Sequence, residues 1–213
     1  MTLTIYLVRH GETAFNRDGK GLGRADEPLT EVGENQARLT GQAFANRPIG
    51  QILTSPLSRA RRVAEAIASN SGAPIEPRDS LVEMDLGSTE GVTYAETAAR
   101  YPDFMRQWAG PGAAHAIFPG GESVAGVAAR AAPVLAALPA HQEGRLVIVS
   151  HNFVLRALLC TLLDVPIENF RAFQLDLASI TTVSIRGGRA AVGRLNDVCH
   201  LESLNLGPPA RSV

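Results

Sequence analysis

Short apolar segments of strand length alternate along this chain with segments of helical pattern, and this alternation restricts the possible folds more than any other feature. The runs over 3–8 (LTIYLV), 49–55 (IGQILTS) and 145–150 (RLVIVS) are typical of buried strands, because they are short and mostly apolar. Helix signals lie between them. Strands that alternate with helices predict a mostly parallel sheet with helices on both faces.

The first two predicted helices carry recognisable boundary residues. Thr30 is a candidate N-cap for a helix over about 31–46. Ser55 followed by Pro56 predicts a second helix start, with the serine as N-cap and the proline at the first helical position. Gly72 is the expected C-terminal stop of that helix.

The second half of the chain continues the pattern and then changes it. Ser123 predicts the start of an alanine-rich helix, and 153–163 predicts an apolar one. Two strand-like runs then flank Gly187 and Gly188, which is a hairpin signal. The hairpin predicts an antiparallel edge on the otherwise parallel sheet.

Together these signals predict one domain over residues 1–213, with an α/β fold built as a three-layer α/β/α sandwich. A chain of 213 residues that is 45% hydrophobic can bury a single core of this kind. The glycines and prolines over about 88–122 predict a small cap inserted into the domain. Residues over about 201–213 predict a loose tail.

Charge and cysteine usage exclude several classes of partner. With a formal net charge of -1, the chain has no basic surplus for nucleic acid or for an anionic membrane. No apolar run approaches the ~20 residues of a membrane helix, and the N-terminus lacks a signal segment. Cys160 and Cys199 show no zinc-site spacing, so no metal and no other cofactor are expected. We therefore expect a cytoplasmic protein with reduced thiols.

Two histidines directly follow predicted strands. His10 comes after the first strand and His151 after the strand over 145–150. Ligand sites in parallel sheets gather beyond the carboxyl ends of strands, so the two imidazoles are expected to lie together. Gly11 follows His10 in a turn that can present backbone N–H groups to an anion. A helix start follows His151 and also favours negative charge, which predicts an anion site.

Two further segments supply candidate charged groups. Arg59 lies in the first turn of the second predicted helix, where a cation opposes the helix dipole unless an anion lies between them. An ordinary surface arginine is the equal alternative. A carboxyl group beside an anion site can donate a proton to a leaving alkoxide. The segment LVEMDLGSTEG offers Glu83, Asp85 and Glu90 for this role, and residue chemistry alone does not separate them.

Six sequence blocks in a fixed order resemble the histidine phosphatase superfamily, the clan of cofactor-dependent phosphoglycerate mutases and related phosphatases. RHGET alone is a short motif, and the specificity comes from the further blocks that follow it in the family order. The resemblance extends from Leu3 to about Leu201. The blocks are RHGETAFN (9–16), PLTEVGENQA (28–37), SPLSRA (55–60), Glu83 with LGSTEG (86–91), PGGES (119–123) and IVSHN (148–152).

The resemblance implies a metal-independent phosphatase and a role for each matching residue. It implies that His10 is the nucleophile and becomes phosphohistidine. It implies that Glu83 protonates the departing alcohol and then deprotonates the attacking water. A proton on both ring nitrogens would make the second histidine a double donor. The residues that match the phosphate-binding positions are Arg9, Asn16, Arg59 and His151.

This chain departs from the family pattern in three places. Leu22-Gly23 stands where the family often has Gln-Gly, and Asn152-Phe153 stands where it commonly has Gly-Gly. The LGSTEG block lacks the aromatic residue that usually precedes Glu-Gly. These positions predict substrate contacts at Gly23 and Asn152. None of the departures removes a catalytic group, so activity is expected on a small phosphorylated metabolite.

Three alternatives to a phosphatase remain open at this point. A phosphoglycerate mutase is disfavoured by analogy, because the mutases carry a longer insertion between the acid block and PGGES than the 88–118 segment found here. An inactive phosphate-binding module would be expected to lose one of the six positions. A metallohydrolase is disfavoured, because the histidines are isolated and the sequence has no HExxH or paired-carboxylate motif. The sequence also leaves open a homodimer formed through a sheet edge or through 153–163.

The cap is expected to determine the substrate. Its aromatic residues are either a lid over the leaving group or simply the packing of the cap on the sheet. Arg100 and Arg106 are either carboxylate-binding residues or surface arginines. The aromatic and sulfur-containing residues of the cap are Tyr94, Tyr101, Phe104, Met105, Trp108 and Phe118.

Overall fold

The computed structural model describes residues 2–137 and 144–204 and contains a six-stranded sheet in the order β3-β2-β4-β1-β5-β6. The four strands β1 to β4 run parallel, whereas β5 pairs antiparallel with both β1 and β6. The predicted mostly parallel α/β sheet with an antiparallel edge is confirmed. The strands are β1 (Thr2–Arg9), β2 (Gln51–Thr54), β3 (Ile75–Pro77), β4 (Gly144–Ser150), β5 (Ile180–Arg186) and β6 (Arg189–Asp197).

Helices cover both faces of the sheet. Helices α2 and α3 pack together on one face, and α6 and α7 pack together on the other. Helices α4 and α5 lie within the segment over about 88–122, which was predicted to be the cap. The helices are α1 (Ala14–Arg17), α2 (Glu31–Ala43), α3 (Ser58–Ser71), α4 (Tyr94–Arg100), α5 (Pro102–Ala109), α6 (Val124–Ala136) and α7 (Asn152–Leu162).

Strand β1 divides the protein interior into two cores. Its side chains alternate between the two faces of the sheet, as the period of a strand requires. Leu3, Ile5 and Leu7 belong to the core shared with α6, α7 and the cap. Tyr6 and Val8 belong to the core shared with α2 and α3. Burial on both faces explains why the strand reads as a continuous apolar run.

Three predicted helix boundaries are confirmed. The Thr30 hydroxyl accepts a hydrogen bond from the Gly33 N–H at 3.1 Å, and Ser123 caps α6 through the Gly126 N–H in the same way. Gly72 ends α3 in the left-handed conformation, with a φ of 73°. These contacts are local, so a few residues of sequence are enough to predict them.

The predicted start of α3 at Ser55 and Pro56 is wrong. The helix begins at Ser58, and the Ser55 hydroxyl accepts a hydrogen bond from the Leu57 N–H at 3.3 Å, before the helix. The Ser58 N–H instead donates to Asp26 Oδ1 at 2.7 Å. A carboxylate distant in sequence thus satisfies the helix start, and a motif search within the segment does not find it.

The segment between β1 and α2 contains the one-turn helix α1. Thr13 and Asn16 form a reciprocal capping box around this helix. Among the residues described, no helix has the length and apolar character needed to cross a membrane.

The predicted tail begins within a short 3-10 helix, Cys199–Leu204. Leu201 of this helix is buried, and His200 Nε2 lies 3.1 Å from Thr40 Oγ1 on α2. The rest of the predicted tail, 205–213, lies outside the described residues. The assignment of residues 1–213 to one domain with an inserted cap stays a prediction.

Helix α2 begins in direct contact with the main chain that follows His10. A Cβ atom added to Gly33 would lie 2.1 Å from the carbonyl oxygen of Glu12. We expect Gly33→Ala to lower the free energy of unfolding by about 1–3 kcal/mol, because the turn after β1 must move away. Urea unfolding measures this difference.

Gly126→Ala in α6 is the matched control. A Cβ atom there would meet Ser123 Oγ at an ordinary 3.5 Å. Alanine is favoured over glycine in a helix, so this variant should keep its stability or gain up to about 1 kcal/mol. Equal losses in the two variants would contradict the close packing of α2 on the turn.

Candidate active site

The parallel pairing of β1 with β4 brings the two predicted histidines together. Arg9 is the register partner of Ser150, and the His10 N–H donates to the Ser150 carbonyl at 3.1 Å. The ring centroids of His10 and His151 lie 5.1 Å apart. Both side chains are buried, at 3% and 0% exposure. The expected meeting of the two strand ends is therefore present.

The surroundings of His10 define which ring nitrogen carries a proton. His10 Nδ1 lies 2.7 Å from the carbonyl oxygen of Gly11. A carbonyl oxygen only accepts, so Nδ1 must donate, and the lone pair of the neutral ring lies on Nε2. Burial, together with Arg59 and Arg9, lowers the pKa of His10 well below its ordinary value. The ring is therefore neutral, with a nucleophilic nitrogen at Nε2.

His151 has the opposite arrangement. Arg59 Nε donates to His151 Nδ1 at 3.3 Å, so the proton of the neutral ring lies on Nε2. Burial and the neighbouring Arg59 lower the pKa of His151 well below its ordinary value. Its Nε2 is buried and has no hydrogen-bond partner among the residues that the structure describes. His151 is thus a single donor at Nε2, unlike the doubly protonated donor considered from sequence.

Arg59 is buried and fixed by main-chain oxygens. Its Nη1 donates to the Ala25 carbonyl at 2.7 Å, and its Nη2 donates to the Gly23 carbonyl at 2.6 Å. Burial lowers the pKa of Arg59 to about 10, so the guanidinium stays charged at neutral pH. The plain alternative of an exposed surface arginine does not hold. Arg59 contacts His151, whose ring lies beside that of His10, and neither Arg59 nor His151 is among the described residues that line the cavity.

Gly23 lies in the loop that holds Arg59. The Gly23 and Ala25 N–H groups donate to Glu90 Oε1 at 2.7 and 2.9 Å. A Cβ atom on Gly23 would lie 2.6 Å from the Met84 carbonyl oxygen, so the position requires glycine. The structure thus places Gly23 outside the cavity wall, where its main chain orients Arg59.

Of the three candidate acids, Glu83 is the one that lines the cavity. Its two carboxyl oxygens accept hydrogen bonds from the N–H groups of Met84 at 2.8 Å and Phe153 at 3.2 Å. Burial raises the pKa of Glu83, against the effect of these hydrogen bonds and of the nearby arginines. Asp85 instead accepts from the Gly87 N–H at 2.9 Å. The carboxyl group of Glu83 is therefore suited to holding a proton.

Sequence reasoning missed the pair that fixes the Glu83 loop. Arg130 Nη2 donates to the Glu83 carbonyl at 3.0 Å, and Arg130 Nε donates to Glu122 Oε1 at 3.0 Å. Glu122 Oε2 in turn accepts from the Asp85 N–H at 2.9 Å. A lone arginine in the alanine-rich helix α6 was the only local signal for this role. Glu122 itself lies in the PGGES block.

Two of the predicted phosphate-binding residues line the cavity beside His10. Asn16 Oδ1 accepts from the Thr13 N–H at 3.2 Å and hydroxyl at 2.9 Å, which leaves its amide nitrogen as the available donor. Arg9 Nη1 donates to the Leu175 carbonyl at 2.5 Å. Burial lowers the pKa of Arg9 to about 10, so it too remains a cation at neutral pH.

Asn152 also lines the cavity, at the first position of α7. Its side chain is 6% exposed, and its Oδ1 has no hydrogen-bond partner among the described residues. A cavity of about 250 Å³ extends from His10 towards the cap. Within residues 2–137 and 144–204, no three histidine, cysteine, aspartate or glutamate side chains cluster as a metal site requires.

Comparison with known proteins gives matches over nearly the whole chain. The sequence model of the histidine phosphatase superfamily (branch 1) matches residues 5–198. Phosphoserine phosphatase 1 of Hydrogenobacter thermophilus is 33% identical over 199 residues, covering 92% of this chain and 93% of that protein. A protein of Salmonella choleraesuis named probable phosphoglycerate mutase GpmB is 33% identical over 207 residues, covering 94% and 96%.

Solved structures of phosphatases share this fold. The structure of mycobacterial glucosyl-3-phosphoglycerate phosphatase aligns with a TM-score of 0.83 at 28% sequence identity. The alignment covers 92% of this chain and 99% of that one.

The buried neutral histidines should make stability depend on pH. Below the ordinary histidine pKa of about 6.5, the unfolded chain binds protons that folded His10 and His151 do not bind, so stability falls as pH falls. Glu83, with its raised pKa, contributes stability at low pH that is lost as pH rises above 4.5. We expect His10→Gln to reduce the slope of unfolding free energy with pH by up to about 1.4 kcal/mol per unit.

Urea unfolding at several pH values between about 5 and 7 measures this slope. Asn152→Ala removes an uncharged side chain from the same wall and should keep the wild-type slope. An unchanged slope in His10→Gln would contradict the neutral buried state of His10.

The main chain at Gly23 and Ala25, which contacts both Glu90 and Arg59, yields a second prediction. Glu90→Ala leaves the Gly23 and Ala25 N–H groups without their carboxylate, so the carbonyls that orient Arg59 should lose their position. We expect the affinity for inorganic phosphate to fall about tenfold, as measured by calorimetry. Glu65→Ala, which removes an exposed carboxylate on α3, is the control and should bind as wild type. Equal affinities of the two variants would contradict the role of Glu90.

Proposed function

The chain belongs to the histidine phosphatase superfamily (branch 1), and on that basis we propose that it is a metal-independent phosphomonoester hydrolase that acts through a phosphohistidine on His10. The proposed substrate is a small phosphorylated metabolite. The observation that carries the proposal is the opposite protonation of two adjacent rings. His10 presents a lone pair at Nε2 and would act as the nucleophile. His151 presents a proton at Nε2 and would donate a hydrogen bond to a phosphoryl oxygen.

In the first step, His10 Nε2 attacks phosphorus and the bond from phosphorus to the ester oxygen breaks. The departing alcohol takes a proton from Glu83, whose raised pKa keeps that proton available. Arg9, Arg59 and the donors of Asn16 and His151 stabilise the charge on the phosphoryl oxygens. The phosphorylated ring becomes more positive, and the Gly11 carbonyl facing Nδ1–H stabilises it.

In the second step, the Glu83 carboxylate takes a proton from a water molecule as that water attacks phosphorus. The bond from phosphorus to Nε2 breaks, inorganic phosphate leaves, and His10 returns to the neutral ring. Glu83 is again protonated, so it is ready for the next ester. No step needs a co-reactant other than water.

Hydrolysis is favoured over the mutase reaction by the positions of the cap arginines. A phosphoglycerate carries a carboxylate that must be bound together with the phosphate. Arg106 is 76% exposed and pairs with Asp103, and neither Arg106 nor Arg100 lines the cavity. An inactive binding module is disfavoured because the nucleophile, the acid and the four phosphate-binding positions are all present.

The direct test is release of inorganic phosphate from p-nitrophenyl phosphate between about pH 5 and 8, with EDTA present. We expect the wild type to release phosphate at the same rate with and without EDTA. His10→Ala should release none above background. Release that persists in His10→Ala, or that EDTA abolishes, would contradict the proposal.

The role of Glu83 gives a separate prediction with the same ester. Nitrophenolate leaves without a proton, so Glu83→Gln should still be phosphorylated but should hydrolyse the phosphoenzyme slowly. We expect kcat to fall by about 10²–10⁴ and an acid-labile, alkali-stable phosphoenzyme to accumulate. Rapid-quench phosphate labelling measures it.

Glu65→Gln on the exposed side of α3 is the matched control and should keep the wild-type kcat. If Glu83→Gln turns over at the wild-type rate, or accumulates no phosphoenzyme, Glu83 is not the acid and base.

A further inference from the structure

Four aromatic rings form part of the cavity wall. Phe104 and Phe118 have ring centroids 4.6 Å apart, and Trp108 lies 4.9 Å from Phe118 and 5.8 Å from Phe153. All four rings line the cavity. Trp108 and Phe118 also belong to the buried core. The aromatic residues of the cap therefore both pack the cap and form a cavity surface.

The remaining wall is also mostly apolar. The departures from the family pattern contribute to this, since Leu22 stands in place of a glutamine and Phe153 in place of a glycine. Outside the phosphoryl site, fewer polar than apolar residues line the cavity. The other apolar lining residues are Leu86, Val92, Met105 and Leu177, and the polar ones are Lys20, Thr89, Tyr94, Thr97 and Asn152.

The wall offers little positive charge to an alcohol that carries a carboxylate. Apart from Arg9 and His10 at the phosphoryl site, Lys20 is the one basic residue among the described residues that line the cavity. Its ammonium lies 5.8 Å from the centroid of the Phe15 ring. A carboxylate in this cavity would lose water against aromatic and aliphatic side chains, which is costly for a charged group.

The aromatic wall is held in place before any ester binds. Arg171 Nη2 donates to the Trp108 carbonyl at 2.7 Å, and its guanidinium carbon lies 4.7 Å from the centroid of the Trp108 ring. Arg171 also lies 5.1 Å over the ring of Phe170, which packs against Trp108. A preformed apolar surface gives binding energy without the cost of ordering it.

We infer that the preferred substrates are phosphomonoesters of an apolar, uncharged alcohol of about the size of one aromatic ring on a short alkyl chain. The inference rests on the proposed function and adds the class of the leaving group to it. The cavity of about 250 Å³ has room for such a group beside the phosphoryl site. The four aromatic rings supply the surface against which the alcohol packs.

The experiment compares kcat/KM for alkyl phosphates, all of which need a proton on the leaving oxygen. We expect 2-phenylethyl phosphate to exceed glycerol 1-phosphate by at least about tenfold, and to exceed phosphoserine and 3-phosphoglycerate by more. Equal values, or a preference for either carboxylate-bearing ester, would overturn the inference.

Hydrolysis of p-nitrophenyl phosphate distinguishes failure of the inference from failure of the proposed function. If this ester is hydrolysed in a His10-dependent manner, only the substrate preference is at issue. If it is not, calorimetry still tests the cavity, because 2-phenylethylphosphonate should bind at least about tenfold tighter than 3-phosphonopropionate. Equal or reversed affinities would overturn the inference in that case too.

Variants of one wall residue locate the preference. Phe104→Ser should lower the ratio of kcat/KM for 2-phenylethyl phosphate over glycerol 1-phosphate at least about fivefold, and Phe104→Leu should restore most of it. Thermal unfolding checks that both variants fold. Lys20→Met should keep the preference for the apolar ester. A ratio unchanged in Phe104→Ser would show that the aromatic wall does not contact the alcohol.

Discussion

The candidate site depends on the pairing of β1 with β4 where the two strands end, at Arg9 and Ser150. The Ser150 carbonyl accepts from the His10 N–H, and the Ser150 hydroxyl donates to the Leu81 carbonyl at 2.7 Å. Ser150 therefore connects the end of β1, where His10 follows, to the loop that carries Glu83. The next residue, His151, occupies the N-cap position of α7, whose Phe153 N–H donates to the Glu83 carboxyl group. A shift of one residue in this register would separate all of these groups.

The site concentrates positive charge where water is excluded. Arg9 and Arg59 are both buried, and burial lowers the pKa of each. Two main-chain carbonyls and the His151 ring, rather than carboxylates, accept the hydrogen bonds that orient Arg59. Holding cations in this way costs folding free energy. A phosphoryl dianion would offset that cost, so the arrangement favours an anionic ligand over an empty site.

Much of the fold and part of the site could be predicted from the sequence, because those features are local. The apolar pattern located β1 and β4, and with them the two strand-end histidines. Residue chemistry did not distinguish Glu83 from its neighbours, and the family resemblance was needed for that choice. The start of α3 depends on Asp26, and the Glu83 loop depends on Arg130. Both contacts join residues far apart in the chain, and no short motif records them.

The two imidazoles of this site have the same covalent structure, and what differs is the group that faces each Nδ1. For His10 that group is the oxygen of a peptide bond, which no side-chain substitution can remove. For His151 it is the guanidinium of Arg59, which one substitution replaces. The tautomer of His10 that leaves a lone pair on Nε2 is thus fixed by the backbone and protected from point mutation, whereas the tautomer of His151 depends on a side chain and is open to evolutionary change.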